Sequence, residues 1–156
     1  MQFGETEIIE LTQAICHAVL DLALEPVRDG AEIETGLAGR VRISGQWRGE
    51  VILESSPVFA QQAAQIMFAH DCEAASFDDM RDAIAELTNI VGGNLKSILP
   101  GPSDLSVPEC SELSESRPAA EPRQLLMAMR FESDGAPLCV TVYQHDAGRD
   151  RNAAAG

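Results

Sequence analysis

The sequence predicts an α+β protein in which a mostly antiparallel sheet packs against long helices. Three segments repeat apolar residues at steps of three and four, which is typical of helices with one buried face. Other segments alternate apolar and polar residues, or are short apolar runs between turn residues, as strands are. The order is helix, two strands, two helices and about three strands. Because helices and strands do not strictly alternate, this order favours an antiparallel sheet over a doubly wound one.

Length and charge narrow the possible roles. The 156 residues suit one domain, expected over 1–146, with a flexible tail over 147–156. The formal charge of −14 argues against nucleic acid or an anionic membrane as partner, because phosphates would be repelled. There is no apolar run of the roughly 20 residues that a membrane span needs. The acidic start "MQFGETEIIE" lacks the layout of a signal peptide, so the expected location is the cytoplasm.

The first half begins with a helix predicted from Glu5 to about Leu24, ended by Pro26 and Gly30. Its apolar stripe is Ile8, Leu11, Ile15, Val19 and Leu22. The stretch "ETGLAGRVRISGQWRGEVILESS" predicts two strands that reverse at Gly45-Gln46. A second helix is predicted after Ser56-Pro57, since serine caps helices and proline suits their first position. Its predicted inner face is Phe59, Ala63, Ile66 and Met67.

The second half begins with a third helix, predicted from Ser76 to Leu99 and ended by "PGP". Its predicted buried face is Phe77, Met80, Ile84, Leu87, Val91, Leu95 and Ile98. "DLSVPE" predicts a short edge strand, because proline is tolerated at sheet edges. "CSELSESRPAAEPRQ" predicts a mobile loop, and "LLMAMRFE" with "LCVTVYQH" predicts a hairpin about "SDGAP".

The third helix carries a polar line opposite its apolar face. Asp82, Glu86, Asn89 and Gly93 fall near that pole of the helical wheel, and side chains three or four positions apart are neighbours. Solvation alone explains most such pairs. However, each of the two adjacent glycines, Gly92 and Gly93, costs a helix interior about 1 kcal/mol relative to alanine. That cost is easier to understand if something approaches the backbone there.

The stretch "ELTNIVGGNLKSIL" resembles the signature helix of the CheX/CheC-type chemotaxis phosphatases, whose pattern is "E(L/I)xNxxxGN". The matching positions are Glu86, Asn89, Gly93 and Asn94. More weakly, "VRISGQWRGEVILESSP" is similar to the family's hairpin, and "LSVP" to its short strand after the signature helix. The resemblance implies the family's α+β pseudo-repeat and a single Glu-x-x-Asn site of CheX type.

The resemblance also implies a chemistry and a partner. Such proteins dephosphorylate the phospho-aspartate of a CheY-like receiver domain. Asn89 would orient the attacking water, and Glu86 would pair with the receiver's lysine. Asp82, Gly93 and Lys96 would contact the partner, with Gly93 leaving room for its surface. The chain would need no cofactor, because the Mg²⁺ belongs to the receiver. Enzymes of phosphoryl transfer are known to orient the attacking water with a side-chain amide.

The first helix contains a second, altered copy of the motif. "ELTQ" repeats "ELTN", so Glu10 corresponds to Glu86 and Gln13 to Asn89 at the same sequence offset. Gln13 is one methylene longer than asparagine, which would displace its amide by over about 1 Å and spoil the aim. His17 stands where the third helix has a glycine. We therefore expect the first helix to be the non-catalytic copy.

Other candidate sites are weaker. Cys16, Cys72, Cys110 and Cys139 are far apart and are expected to be free thiols. His70 to Cys72 offers three adjacent ligand types, but this spacing does not fit zinc. Trp47 is expected to pack on the hairpin.

Two alternatives stay open beside the phosphatase. The same helix could dock a receiver, or belong to a chemotaxis or flagellar-switch assembly, without hydrolysis. The polar line could also be only a solvated face. Finally, relatives of CheX type form dimers, and the edge strand near Pro108 together with the C-terminal hairpin suggests a homodimer.

Overall fold

A computed structural model describes residues 4–28, 32–68, 74–115 and 122–145 of the chain. It has the predicted α+β class, with α-helices packed on one antiparallel sheet. The helices are α1 (Glu5–Leu20), α2 (Pro57–Met67) and α3 (Phe77–Ile98). The strands are β1 (Glu25–Val27), β2 (Leu37–Gly45), β3 (Gly49–Ser55), β4 (Ser103–Leu105), β5 (Glu109–Glu112), β6 (Arg123–Ser133) and β7 (Ala136–His145).

The sheet is built from two interlocked halves. Its order is β1-β6-β7-β3-β2-β4, and β5 also pairs with β2. β1 follows α1 but pairs with β6 of the second half, whereas β4 and β5 follow α3 but pair with β2 of the first half. β3 and β7 meet at the centre. The two halves of the sheet therefore have equivalent arrangements when each is followed from its own edge to the centre. In this correspondence, α1 is the counterpart of α3.

Strand alternation separates a helix-facing side of the sheet from an outer side. Val51 and Leu53 in β3 and Val140 and Val142 in β7 are buried in the core, because alternate side chains point to one face. On the outer side of the same strands, Ile52, Cys139 and Thr141 are also buried, and Glu54 and Tyr143 are half-buried.

One charged residue of the outer side is fully buried. Glu50 in β3 is 1% exposed, and its carboxylate pairs with Arg123 and with Arg40, whose Nε lies 3.5 Å from Glu50 Oε2. The Arg123 guanidinium also lies 3.7 Å from the centre of the Tyr143 ring. Two arginines neutralise this buried carboxylate, which without them would be a costly unpaired charge. This cluster joins β2, β3, β6 and β7.

The first helix is shorter than predicted. It ends at Leu20, and Asp21 closes it in a left-handed conformation with φ 53°. The N–H of Asp21 donates to the carbonyl of His17 at 3.0 Å, and the N–H of Leu22 donates to that of Cys16 at 3.3 Å. The following residues form β1, an edge strand that sequence reasoning missed because Pro26 reads as a turn. The buried side of α1 is Ile8, Thr12, Ile15, Cys16 and Leu20. The predicted members Leu11 and Val19 lie at its margin and are half-buried, and Leu22, also half-buried, follows the end of the helix.

The predicted caps of the other two helices are confirmed. The Ser56 hydroxyl accepts the N–H of Phe59, and the Ser76 hydroxyl accepts the N–H of Asp79. The predicted apolar faces are wrong at their ends. Ile66, Phe77 and Ile98 are 43%, 45% and 41% exposed, so the buried faces of α2 and α3 stop short of these terminal residues.

The predicted loop from Cys110 is partly wrong. Residues 110–112 belong to β5, which pairs with β2, and Leu113–Glu115 form a 3₁₀ turn. The rest of that loop over 116–121, the His70 and Cys72 pair, and the tail over 147–156 lie outside the described residues. Within the described ranges, no helix is long and apolar enough to cross a membrane.

Candidate functional site

The candidate site lies on the outward face of α3. The opposite face holds the helix against the sheet and is formed by Ala83, Ile84, Leu87, Thr88, Val91, Gly92 and Leu95. All seven are buried, and they recur at helical spacing. A 22-residue helix packed along this whole face is a rigid support for the side chains on its other side.

Glu86 and Asn89 are neighbours on that outward face. Glu86 is exposed and Asn89 is half-buried, so both side chains can be reached from solvent. The side chain of Asn89 forms no hydrogen bond to any residue in the part of the chain that the structure describes. Asn94, by contrast, donates its amide to the carbonyl of Ile90 at 2.8 Å. Asn89 therefore retains donors and an acceptor for an external molecule.

The other predicted contact residues extend the same line. Asp82 is exposed one turn before Glu86, while Gly93 and Lys96 are half-buried in the turns after Asn89. Lys96 lies in the last turn, where a cation interacts favourably with the helix dipole. A Cβ on Gly93 would have ordinary space, 3.9 Å from Leu105 Cδ2. Packing within the described residues therefore does not require glycine at position 93.

The corresponding site on α1 is occupied by the protein's own backbone. Glu10 is exposed, as Glu86 is. Gln13, however, donates its Nε2 amide to the carbonyl of Leu24 at 3.0 Å. His17 is exposed, and its Nδ1 lies 4.0 Å from Asp21 Oδ1. The α1 amide thus has an intramolecular partner in the segment between α1 and β1.

Sequence reasoning missed a groove beside the candidate site. It runs between α3 and the edge strand β5, and it is lined by Asp78, Arg81, Asp82, Ala85, Pro108, Glu109 and Cys110. Arg81 crosses it, donating Nη2 to the carbonyl of Cys110 at 3.1 Å. The sequence predicts this wall only in part: Pro108 and Glu109 belong to the predicted edge strand "DLSVPE", whereas Cys110 lies in the segment predicted as a loop.

The described thiols are poor candidates for nucleophiles. Cys16, Cys110 and Cys139 are free, as predicted. Burial raises the pKa of Cys16 to about 12 and that of Cys110 to about 11, although Arg81 partly opposes the shift at Cys110. Thiolates would be scarce near neutral pH. Among the described residues, no three histidine, cysteine or acidic side chains cluster as metal ligands do.

Comparison with known proteins reveals a family match. The family profile described as "Chemotaxis phosphatase CheX" matches residues 37–124, which is more than half of the chain. The matched range begins with β2, includes all of α3 and ends at the start of β6. No curated protein matches the chain.

Solved structures share the fold. The chemotaxis protein CheX from Vibrio vulnificus is 19% identical with a TM-score of 0.69, covering 88% of this chain and 96% of its own. That from Desulfovibrio desulfuricans is 16% identical with a TM-score of 0.68, covering 90% and 97%. The CheX-CheY-BeF3-Mg²⁺ complex from Borrelia burgdorferi contains a chain that is 15% identical with a TM-score of 0.69, covering 94% and 100%.

Proposed function

Because the chain belongs to the CheX family of chemotaxis phosphatases, we propose that it dephosphorylates the phospho-aspartate of a CheY-like receiver domain. The proposed site is the outward face of α3, with Asn89 and Glu86 as the working pair. The similar protein from Borrelia burgdorferi forms a complex with CheY, which supports a receiver as the partner. Such a role would be performed in the cytoplasm.

The observation that carries the proposal is the free carboxamide of Asn89. Among the described residues it has no hydrogen-bond partner, whereas Gln13 of the corresponding α1 motif is bonded to Leu24. A polar side chain on a rigid helix, accessible and unpaired, can enter a partner's site without breaking contacts of its own. Preorganised groups of this kind need no rearrangement when the reaction occurs.

The proposed chemistry is an in-line displacement by water. The Asn89 carboxamide oxygen accepts a hydrogen bond from a water molecule and aims its oxygen at the phosphorus atom of the receiver's phospho-aspartate. The new P–O bond forms as the bond from phosphorus to the aspartate oxygen breaks, giving inorganic phosphate and the free carboxylate. Positioning and charge stabilisation supply most of the catalysis in phosphoryl transfer, so no side chain of this protein has to form a covalent intermediate.

Glu86 has a separate role in the proposal. Its exposed carboxylate pairs with the receiver's active-site lysine and thereby fixes the orientation in which α3 docks. Mg²⁺ belongs to the receiver and neutralises the phosphoryl oxygens there. Asp82, Gly93 and Lys96 contact the surrounding receiver surface. A homodimer stays a prediction, and it is not required for this chemistry.

The test is the lifetime of a phosphorylated receiver. A CheY-type receiver is phosphorylated with a small phosphodonor, the donor is removed, and release of phosphate is followed with and without the protein. We expect the protein to accelerate release and Asn89→Ala to abolish the acceleration. Gln13→Ala is the matched control and should accelerate release as the wild type does.

Binding to the same receiver, held in its active form by beryllofluoride and Mg²⁺, separates the two functional alternatives. Retained binding by Asn89→Ala, together with lost acceleration, supports catalysis by the amide. Wild-type binding that leaves the phosphate lifetime unchanged would instead assign a docking module. Neither binding nor acceleration with any of several receivers tested would contradict both.

A further inference from the structure

α3 lies unusually close to β2 on one side of Asn89. Gly39 of β2 is beneath Thr88, and a Cβ on Gly39 would lie only 2.1 Å from Thr88 Oγ1 and 3.1 Å from Thr88 Cβ. Thr88 is fully buried, and its hydroxyl donates to the carbonyl of Ile84 at 2.6 Å. The threonine therefore fills the space that a side chain at position 39 would need.

A second close approach lies on the other side of Asn89. Gly92 faces Val41 of β2, and a Cβ on Gly92 would lie 2.5 Å from Val41 Cγ2 and 3.3 Å from Leu105 Cδ1. At contacts below 3.0 Å something must shift, and the atoms struck belong to Thr88 and Val41, whose β-branched side chains have restricted rotamers. The two close approaches involve Thr88, immediately before Asn89, and Gly92, three residues after it.

We propose that these two glycine contacts, Gly39 with Thr88 and Gly92 with Val41, position Asn89 for the reaction. They fix the height and the rotation of α3 over β2 at the turn that bears the amide. The inference rests on the proposed function, because it concerns the geometry of that same site. All four residues are buried, so they act only through the placement of Asn89.

The α1 half of the molecule supports this assignment. At the sequence offset that relates Gln13 to Asn89, Cys16 takes the place of Gly92 and His17 that of Gly93. The strand of the other half that α1 covers, β6, directs Met127, Met129 and Phe131 into the core. The two glycine contacts therefore occur beneath α3, whose amide is free. They are missing beneath α1, whose amide is bonded within the protein.

The expected signature is a loss of turnover without a loss of binding. Moving a catalytic group by about 1 Å can reduce the rate by about 100-fold, so Gly39→Ala and Gly92→Ala should each lower kcat by about 10- to 100-fold. KM for the phosphorylated receiver should stay nearly unchanged, because exposed Glu86 still governs docking. Thr88→Ala only removes atoms, so it should fold and lower kcat by a smaller factor.

Compensating substitutions distinguish positioning from general damage. Thr88→Ala removes the atom that a Cβ at position 39 would strike, and Val41→Ala removes the one that a Cβ at position 92 would strike. The double variants G39A/T88A and V41A/G92A should therefore recover kcat to within about threefold of wild type, as coupled neighbours do in a mutant cycle. Phe131→Leu, in the strand beneath α1, is the destabilised control and should retain wild-type kcat.

A second measurement works without any catalysis. The side-chain amide of Asn89, labelled with ¹⁵N, should shift in the NMR spectra of Gly39→Ala and Gly92→Ala, or of Thr88→Ala where a glycine variant fails to fold. It should return toward the wild-type position in the double variants. An inactive wild-type protein would refute the proposed function. The NMR shifts would still test whether the glycine contacts position the Asn89 amide. Unshifted amide resonances, or unchanged kcat in folded glycine variants, would overturn the inference.

Discussion

α1 and α3 carry the same motif on the same helical face, yet they present it differently. In both helices the central threonine is buried and donates to the carbonyl four residues earlier, from Thr12 to Ile8 at 2.7 Å and from Thr88 to Ile84 at 2.6 Å. The leading glutamate, Glu10 or Glu86, is exposed in both. The two helices thus resemble each other in packing as well as in amino-acid sequence.

The two helices diverge at the amide. The left-handed turn at Asp21 directs the chain back along α1, so that the Leu24 carbonyl lies within reach of Gln13. α3 ends nine residues beyond Asn89, and no residue in the described ranges hydrogen-bonds to that amide. The comparison teaches that a repeat can retain its core contacts while one copy loses the unpaired group on which the other copy's proposed chemistry depends.

The largest expected effect on activity comes from replacing the amide residue of α3 with that of α1. We expect Asn89→Gln to reduce the acceleration of receiver dephosphorylation by about 100-fold, because one extra methylene displaces the carboxamide from its aim. The measurement is phosphate release from the phosphorylated receiver under saturating conditions. Gln13→Asn provides the reciprocal control. An Asn89→Gln variant with wild-type turnover would show that the amide's position is unimportant.

The two adjacent glycines of α3 should respond in opposite ways to the same substitution. Gly92→Ala should lower the free energy of unfolding by about 1–3 kcal/mol, because its Cβ would overpack the contact with Val41. Gly93→Ala should raise it by up to about 1 kcal/mol, since its Cβ has space and alanine favours helix. Urea denaturation measures both. Equal effects would contradict the difference in packing between the two positions.

Substitutions of the two corresponding glutamates should also have different effects on receiver binding. Glu86→Gln should raise KM for the phosphorylated receiver by about tenfold and weaken its dependence on salt, because a charge pair at the interface is lost. Glu10→Gln should change neither quantity. Titrations at low and high ionic strength provide the measurement. A similar change in both variants would indicate that the protein's overall charge governs docking rather than α3.

A pH measurement tests the buried face of α1. Burial raises the pKa of Cys16 from 9.0 to about 12, so the folded state retains the thiol proton at pH values where the unfolded state has lost it. The contribution of this group to the free energy of unfolding should therefore be constant below pH 9 and fall as pH rises toward 12, with a slope of at most about 1.4 kcal/mol per pH unit. Cys16→Ala should reduce that slope. An identical slope in both proteins would place the thiol in contact with water.

The smallest expected effect is at the α1 amide itself. Gln13→Ala removes the hydrogen bond to Leu24 and should lower the free energy of unfolding by about 1 kcal/mol, the usual net value of such a bond. Receiver dephosphorylation should not change. Thermal unfolding measures the first quantity and phosphate release the second. Any loss of activity would mean that α1 takes part in the reaction.

Part of the fold could be predicted from the sequence because its signals are local. Serine caps, turn glycines and apolar periodicity identified all three helices and the two central hairpins. The edge strands β1 and β5 were missed, because each is short, polar and stabilised by pairing with a strand distant in the sequence. The ends of the buried helix faces were mispredicted for a similar reason, since periodicity indicates a face but not where its tertiary contacts end.

The sequence by itself determined the α+β class, the family and the line of Asp82, Glu86 and Asn89 on one helical face, because these depend on residue type and spacing along a helix. Only the tertiary structure decided that Gln13 is bonded to Leu24, that Gly92 rather than Gly93 faces the strand, and that Glu50 is buried between two arginines. Each of these depends on which distant segments meet, and no local pattern encodes the distance between a helix and the sheet on which it packs.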